Sequence, residues 1–257
     1  MTTCLIALGA NISASEELFD AALRELDGPQ ITVCRKSSVF RTAAVGADAG
    51  GDFLNAVATV ETRLDATDLL ARLHRVENHF GRVRTIHWGP RRLDLDLILF
   101  EDQIISRPDL EVPHPACWYR RFVLEPAVQV APQMVHPLLG ETIGQLMNEL
   151  RVRPLHVELE VRSASIDSEA FQQQLIGLEP QSPAIVWHLG SEQRSNSVPS
   201  LFARLILNTK SGDSSLSGDV NWSQPRNEIG RTVVIKTHCL EQAVDQVQLF
   251  RSAVLGS

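Results

Sequence analysis

Lysine is nearly missing from this sequence: Lys36, Lys210 and Lys236 stand alone, and every other basic residue is an arginine. The planar guanidinium is the side chain suited to gripping phosphate with two parallel hydrogen bonds. Where the arginines cluster therefore matters more than their total. Positive charge is also in deficit. A net charge of −7 argues against a chain that coats nucleic acid or an anionic membrane surface. Cysteine is sparse. Cys4, Cys34, Cys117 and Cys239 form no Cys-x-x-Cys pair, which reads as reduced thiols in a cytoplasmic protein. The N-terminus lacks the basic flank and apolar run of a secretory signal. No stretch approaches the roughly 20 apolar residues of a membrane span. There is no Gly-x-x-x-x-Gly-Lys-Ser/Thr loop, and Gly9-Ala10-Asn11 is too short to replace one. Internal repeats are absent.

What is present suits a globular protein with a sizeable core: 257 residues, 44% hydrophobic and 21% charged. At roughly 100–200 residues per domain, that length allows one large domain or two ordinary ones. Residues 3–8 read as a buried strand ending at Gly9. Ser13 and Glu16 form a capping-box pattern ahead of Phe19, Ala22, Leu23 and Leu26 at helical spacing. Gly28-Pro29 stops that helix, and residues 31–39 alternate as a strand. After a Gly/Ala-rich loop at 43–51, residues 53–62 alternate with Leu54, Ala56, Ala58 and Val60 on one face. Phe53, Asn55, Val57 and Thr59 take the other. Asp65 and Asp68 are placed to cap a second helix with a buried stripe of Leu69, Leu73, Val76 and Phe80. An arginine-rich loop, 81–92, leads into a strand at 93–100. The order strand, helix, strand, strand, helix, strand predicts an α+β fold. It is the ferredoxin-like split β-α-β arrangement, an antiparallel sheet with helices on one face. Short helices are expected at 120–131 and 141–150. The character changes at Arg151-Val-Arg-Pro154, which sets a domain 1–154 and a small C-terminal α/β module 155–257. In the module the pattern predicts strands near 156–161, 184–189 and 232–237, and helices near 168–177, 199–208 and 239–254.

Residues 93–99, Leu-Asp-Leu-Asp-Leu-Ile-Leu, carry the most chemistry. In a regular strand Leu93, Leu95, Leu97 and Leu99 face one way. Asp94 and Asp96 then share the other face, with Cβ atoms roughly 6.5 Å apart. Two carboxylates so spaced can hold one or two hard cations. Oxygen-only ligands favour Mg²⁺, which takes its remaining ligands from substrate phosphates. The plainer reading is a strand with a solvated acidic face. Arg82, Arg84, Arg91 and Arg92 lie just upstream, no acidic residue occurs from 78 to 93, and Arg120 and Arg121 follow. Arginines around a carboxylate pair suit a metal–polyphosphate complex. They also suit ordinary ion pairs, the reading preferred for Arg92 and Arg121. Asn55 is an amide on a strand and can read the edge of a flat heterocycle, with Phe53, Trp88 and Phe122 available to sandwich the ring. His114 is either a phosphate contact or a satisfied loop histidine.

Taken together these motifs resemble the 6-hydroxymethyl-7,8-dihydropterin pyrophosphokinase family. The carriers are Trp88-Gly89-Pro90-Arg91-Arg92-Leu93-Asp94-Leu95-Asp96-Leu97-Ile98-Leu99, Gly9-Ala10-Asn11, Arg41-Thr42, Phe53-Leu54-Asn55-Ala56, Gly81-Arg82-Val83-Arg84, Val112-Pro113-His114-Pro115 and Arg120-Arg121-Phe122-Val123-Leu124. The resemblance covers roughly residues 2–150. It departs from the family at Ala10, His87 and Asp109. It implies transfer of the terminal pyrophosphoryl group of ATP to a pterin alcohol, releasing AMP, in folate biosynthesis. It also implies two Mg²⁺ ions held by Asp94 and Asp96. Thr42, Val45, Phe53, Asn55, Trp88 and Phe122 match pterin-pocket positions. Leu70, His74, Glu77, Arg84, Arg91, His114 and Arg120 match ATP-side positions. Arg82 and Arg91 match arginines that assist transfer. The partners expected are these small molecules, with no nucleic acid and no membrane. Two rivals are weaker. A nucleotidyltransferase would need a Gly-Ser pair on a preceding helix. An RNA-binding sheet would need aromatics and basic charge where Asp94 and Asp96 stand.

Overall fold

The computed structural model describes residues 1–12, 14–43, 51–81, 92–162, 167–177, 184–189, 203–209, 232–237 and 240–255. The chain divides into two units, Met1–Asn148 and Glu149–Leu255.

The first unit runs β1 (Thr2–Ala10), α1 (Glu16–Leu26), β2 (Ile31–Lys36), β3 (Phe40–Thr42), β4 (Phe53–Thr62), α2 (Ala66–His79), β5 (Asp94–Phe100), β6 (Ile105–Arg107), β7 (Leu110–Val112), α3 (Arg121–Val130), β8 (Val135–His136) and β9 (Glu141–Thr142), then α4 (Ile143–Arg151) at its end. The main sheet has the order β2-β4-β1-β5, with β3 paired to the free part of β4. All of these pairings are antiparallel. Each helical crossover skips one strand: β1–α1–β2 spans β4, and β4–α2–β5 spans β1. The central strand β1 therefore lies between the two strands that carry Asn55 and the aspartates.

Local chemistry explains the elements. Ser15 caps α1, accepting from the Leu18 N–H at 3.3 Å, and Glu16 and Glu17 meet the positive end of the helix dipole. The capping oxygen is thus two residues later than the capping-box pattern predicts, and Ser13 lies outside the described residues. Asp65 caps α2 as expected, accepting from the Asp68 N–H at 2.8 Å. Phe19, Ala22, Leu23 and Leu26 of α1 and Leu69, Leu73 and Val76 of α2 pack against Ile6, Leu8, Leu54, Ala56, Ala58 and Val60. Each large side chain so buried stabilises the fold by about 1.5–3 kcal/mol. Phe80, expected in the stripe, ends α2 only partly buried against this core.

Three expectations are corrected. First, the sheet is covered on both faces. α1 and α2 pack on one face, but α3 packs on β4 and β3 from the other. Its Val123, Leu124, Ala127 and Val130 bury outside the α1–α2 core. Second, Leu99 does not share a face with Leu93, Leu95 and Leu97. The β1–β5 register shifts between Leu5 and Ile6, leaving Ile98 as the extra residue of a bulge. A one-residue bulge flips the parity of the strand, so Phe100 joins the core in place of Leu99. Third, residues 203–208 are not helical.

In the second unit β10 (Leu155–Arg162), α5 (Ser168–Gly177), β11 (Ile185–Leu189), β12 (Ala203–Thr209), β13 (Thr232–Thr237) and α6 (Leu240–Leu255) follow in order. The sheet order is β11-β10-β12-β13, parallel throughout. Residues 203–208 fall in β12. Leu205, Ile206 and Leu207 are all buried, as an interior strand of a parallel sheet requires. A continuous apolar run of this length does not distinguish helix from strand.

Candidate active site

The sheet face turned away from α1 and α2 holds Asn55, Asp94 and Asp96, and the register assembles them. Asn55 of β4 pairs with Gly9 of β1, and Gly9 pairs with Asp94 of β5. One step along, Val57, Ala7 and Asp96 form a second row. Directly opposed residues share a face, so both aspartates look across β1 toward the amide. The central strand offers only a hydrogen at Gly9 and a methyl at Ala7. A Cβ built on Gly9 would lie 3.9 Å from both Asn55 Oδ1 and Asp94 Cβ. The result is a trough with the amide on one wall, the carboxylates on the other, and backbone for a floor. Sequence reasoning identifies both walls and misses the floor. The signal is there to be found: on the alternating face of β1 only residues 7 and 9 are small.

Of the residues expected to bind the pterin, Thr42, Phe53 and Asn55 meet at the β3–β4 end. Thr42 pairs with Phe53, and the Asn55 Nδ2 donates to Thr42 Oγ1 at 2.9 Å. That bond fixes the amide and leaves its Oδ1 toward Gly9. Phe122 opens α3, with the Arg120 guanidinium 5.6 Å from its ring centre, a cation–π contact. The C-terminal end of α3 is tied down by Arg35, which donates to the carbonyls of Val130 and Gln129 at 3.1 and 3.2 Å.

On the other side Leu70, His74 and Glu77 fall at i, i+4 and i+7 of α2, one stripe of the helix that packs against β5. Glu77 is 1% exposed, and its carboxylate accepts the Leu95 N–H at 2.8 Å. His114 sits beside β5, its N–H bonded to the Ile98 carbonyl at 2.9 Å. Its Nδ1 accepts from the Ala116 N–H at 3.2 Å, so the neutral ring carries its proton on Nε2. Burial, and then the charge of Arg120, push His114 down to about 3, against an opposing pull from Asp94. His114 is therefore a neutral donor close to both Arg120 and Asp94. Arg121 forms an ion pair, the reading preferred for it, with Glu125 along α3 at 3.3 Å. Val45, Arg82, Arg84, Trp88 and Arg91 lie outside the described residues.

The donor set fits a hard cation. Asp94 and Asp96 are partly accessible oxygen donors on one face. Among the described residues no group of three or more His, Cys, Asp or Glu side chains forms a metal cluster. An ion held there would complete its shell with water and phosphate oxygens, as Mg²⁺ characteristically does.

Known proteins carry the same sequence pattern. The profile of the 7,8-dihydro-6-hydroxymethylpterin-pyrophosphokinase (HPPK) family matches residues 5–132. A 2-amino-4-hydroxy-6-hydroxymethyldihydropteridine pyrophosphokinase of Synechocystis sp. is 39% identical over 147 residues, which cover 57% of this chain and 75% of that one. The enzyme of the same name from Haemophilus influenzae is 38% identical over 157 residues, covering 60% of this chain and 98% of its own. A crystal structure of Plasmodium falciparum HPPK-DHPS aligns with a TM-score of 0.45 at 13% identity, over 68% of this chain and 53% of that one. The class follows first: this is an ATP-dependent diphosphotransferase. Within that class, the chain belongs to the 7,8-dihydro-6-hydroxymethylpterin-pyrophosphokinase family.

Proposed function

We propose that this chain transfers the terminal pyrophosphoryl group of ATP to the hydroxymethyl oxygen of 6-hydroxymethyl-7,8-dihydropterin, releasing AMP, as a cytoplasmic step of folate biosynthesis. Family membership supports the reaction. The observation that carries it to particular residues is the Asn55–Gly9–Asp94 row, an amide facing carboxylates across a floor without side chains. Thr42, Phe53, Asn55 and Phe122, with Val45 and Trp88, bind the pterin. Its amide edge pairs with Asn55, and the rings flank its faces. Leu70, His74, His114 and Arg120, with Arg84 and Arg91, hold ATP; Glu77, at the remaining ATP-side position, accepts the Leu95 N–H behind them. His114 donates from Nε2 to a phosphate oxygen. Asp94 and Asp96 hold Mg²⁺, two ions in the full complex, which supply charge neutralisation to the phosphate oxygens.

The pterin oxygen attacks the β-phosphorus. The bond from that phosphorus to the bridging α-oxygen breaks, and AMP leaves with the electron pair. The hydroxyl proton departs to solvent or to a carboxylate of the site. Such a transfer needs positioning and charge neutralisation more than a strong base. Arg82 and Arg91 meet the charge that develops. The catalytic domain is residues 1–154, a ferredoxin-like split β-α-β sheet. Residues 155–257 form a separate α/β module.

Product identity tests the proposal. ATP, the pterin alcohol and Mg²⁺ together should yield AMP and a pterin pyrophosphate, and omission of any one should yield neither. ADP with a pterin monophosphate, or free pyrophosphate, would reject it.

A further inference from the structure

We infer that Glu77 is a positioning residue for the carboxylate pair, acting through the backbone of β5. This rests on the reading of Asp94 and Asp96 as the residues that hold Mg²⁺. β5 is the end strand of its sheet, joined on its inner side to β1. The only residue between the two aspartates is Leu95, whose amide turns to the outer edge. A strand edge left to water can fray and twist. Here α2 supplies the acceptor instead, the Glu77 carboxylate at 2.8 Å from the Leu95 nitrogen. The helix that presents Glu77 is itself fixed by Leu69, Leu73 and Val76, each fully buried. The bond thus runs from a rigid helix to the Asp94–Leu95 peptide, the first of the two peptide groups that join the aspartates. The Ile98 carbonyl, held by the His114 N–H at 2.9 Å, pins the same strand just beyond the aspartates. Glu77 is 1% exposed. It serves the site from behind the strand and does not need to touch ATP to do so.

The bond requires an oxygen acceptor and does not require a charge, and that separates positioning from direct contact. Glu77→Leu removes the acceptor, while Glu77→Gln keeps a carbonyl oxygen in its place. Two quantities are read: hydrogen exchange at the Leu95 amide in metal-free protein, and the Mg²⁺ concentration giving half-maximal turnover. In Glu77→Leu the Leu95 amide should lose its protection. The Mg²⁺ requirement should rise about 10–100-fold, the usual effect of removing a residue that orients a metal ligand. Pterin affinity should be unchanged. Glu77→Gln should restore both quantities. A Gln variant as impaired as the Leu variant, or unaltered Leu95 exchange in Glu77→Leu, overturns the inference. Should Glu77→Leu fail to fold, Glu77→Gln decides alone: retained protection and Mg²⁺ response support positioning, and loss of either overturns it. Leu95 exchange is measured without substrates, so this test and the product assay can fail separately.

Discussion

Asn55 is 7% exposed on β4, with one amide hydrogen committed to Thr42. Its remaining hydrogen and its carbonyl oxygen are what a pterin edge would use. Asn55→Ala should therefore weaken pterin binding by about 1–3 kcal/mol for each ligand group left unpaired. Binding of ATP alone, followed by calorimetry, should change little, and equal loss of both would assign Asn55 to the fold. At this scale the amino-acid sequence is highly legible. An isolated amide on an alternating strand and a doubled Asp-Leu pattern are visible in a string of letters. The partnership of Asn55 with Thr42 is not, because thirteen residues separate them and only the β3–β4 pairing closes the distance. Nor is the neutral state of His114. It depends on the burial of the ring and on Arg120 beside it, which no spacing reveals.

Elements are legible where periodicity and capping agree. α2 begins at Ala66 behind its Asp65 cap, as the sequence pattern requires. Asp65→Ala should cost about 0.5–2 kcal/mol of stability through loss of the bond to the Asp68 N–H. It should leave turnover unchanged at temperatures where the protein is folded. Urea midpoints beside initial rates check both, and an unchanged midpoint would mean that the cap is dispensable. Sequence patterns mislead where tertiary context decides. Leu93 to Leu97 alternates cleanly with Asp94 and Asp96, yet the bulge at Ile98 sends Leu99 to the other face. The pattern cannot show this because every residue from Leu97 to Phe100 is buried whichever way it points. The strand at Ala203–Thr209 resembles a helix in sequence for a related reason. An interior parallel strand is apolar on both faces and has no period to read.

The whole molecule divides into units with different sheet types, one antiparallel and one parallel. Every described residue assigned to the reaction lies in the first. The boundary between the units, Asn148 to Glu149, falls within α4, whereas Pro154 lies between α4 and β10. A chain ending at Pro154 should fold and retain pyrophosphoryl transfer, as shown by circular dichroism and AMP release. A folded but inactive truncation would mean that the second unit contributes to the site.

The central claim is that Asp94 and Asp96 act together on the ATP phosphates through Mg²⁺. Leu93, Leu95 and Leu97 bury β5 whether or not its other face is charged, so Asp94→Asn and Asp96→Asn should leave thermal stability intact or slightly raised. Turnover should fall in each by roughly 10²–10³, the usual loss on removing one preorganised electrostatic contact. The double variant should fall by less than the product of the two, since either change disrupts a shared site. The direct measurement is turnover at saturating Mg²⁺ beside melting temperature for all three variants. Near-normal turnover in either single variant would return the pair to a solvated acidic face and contradict the account.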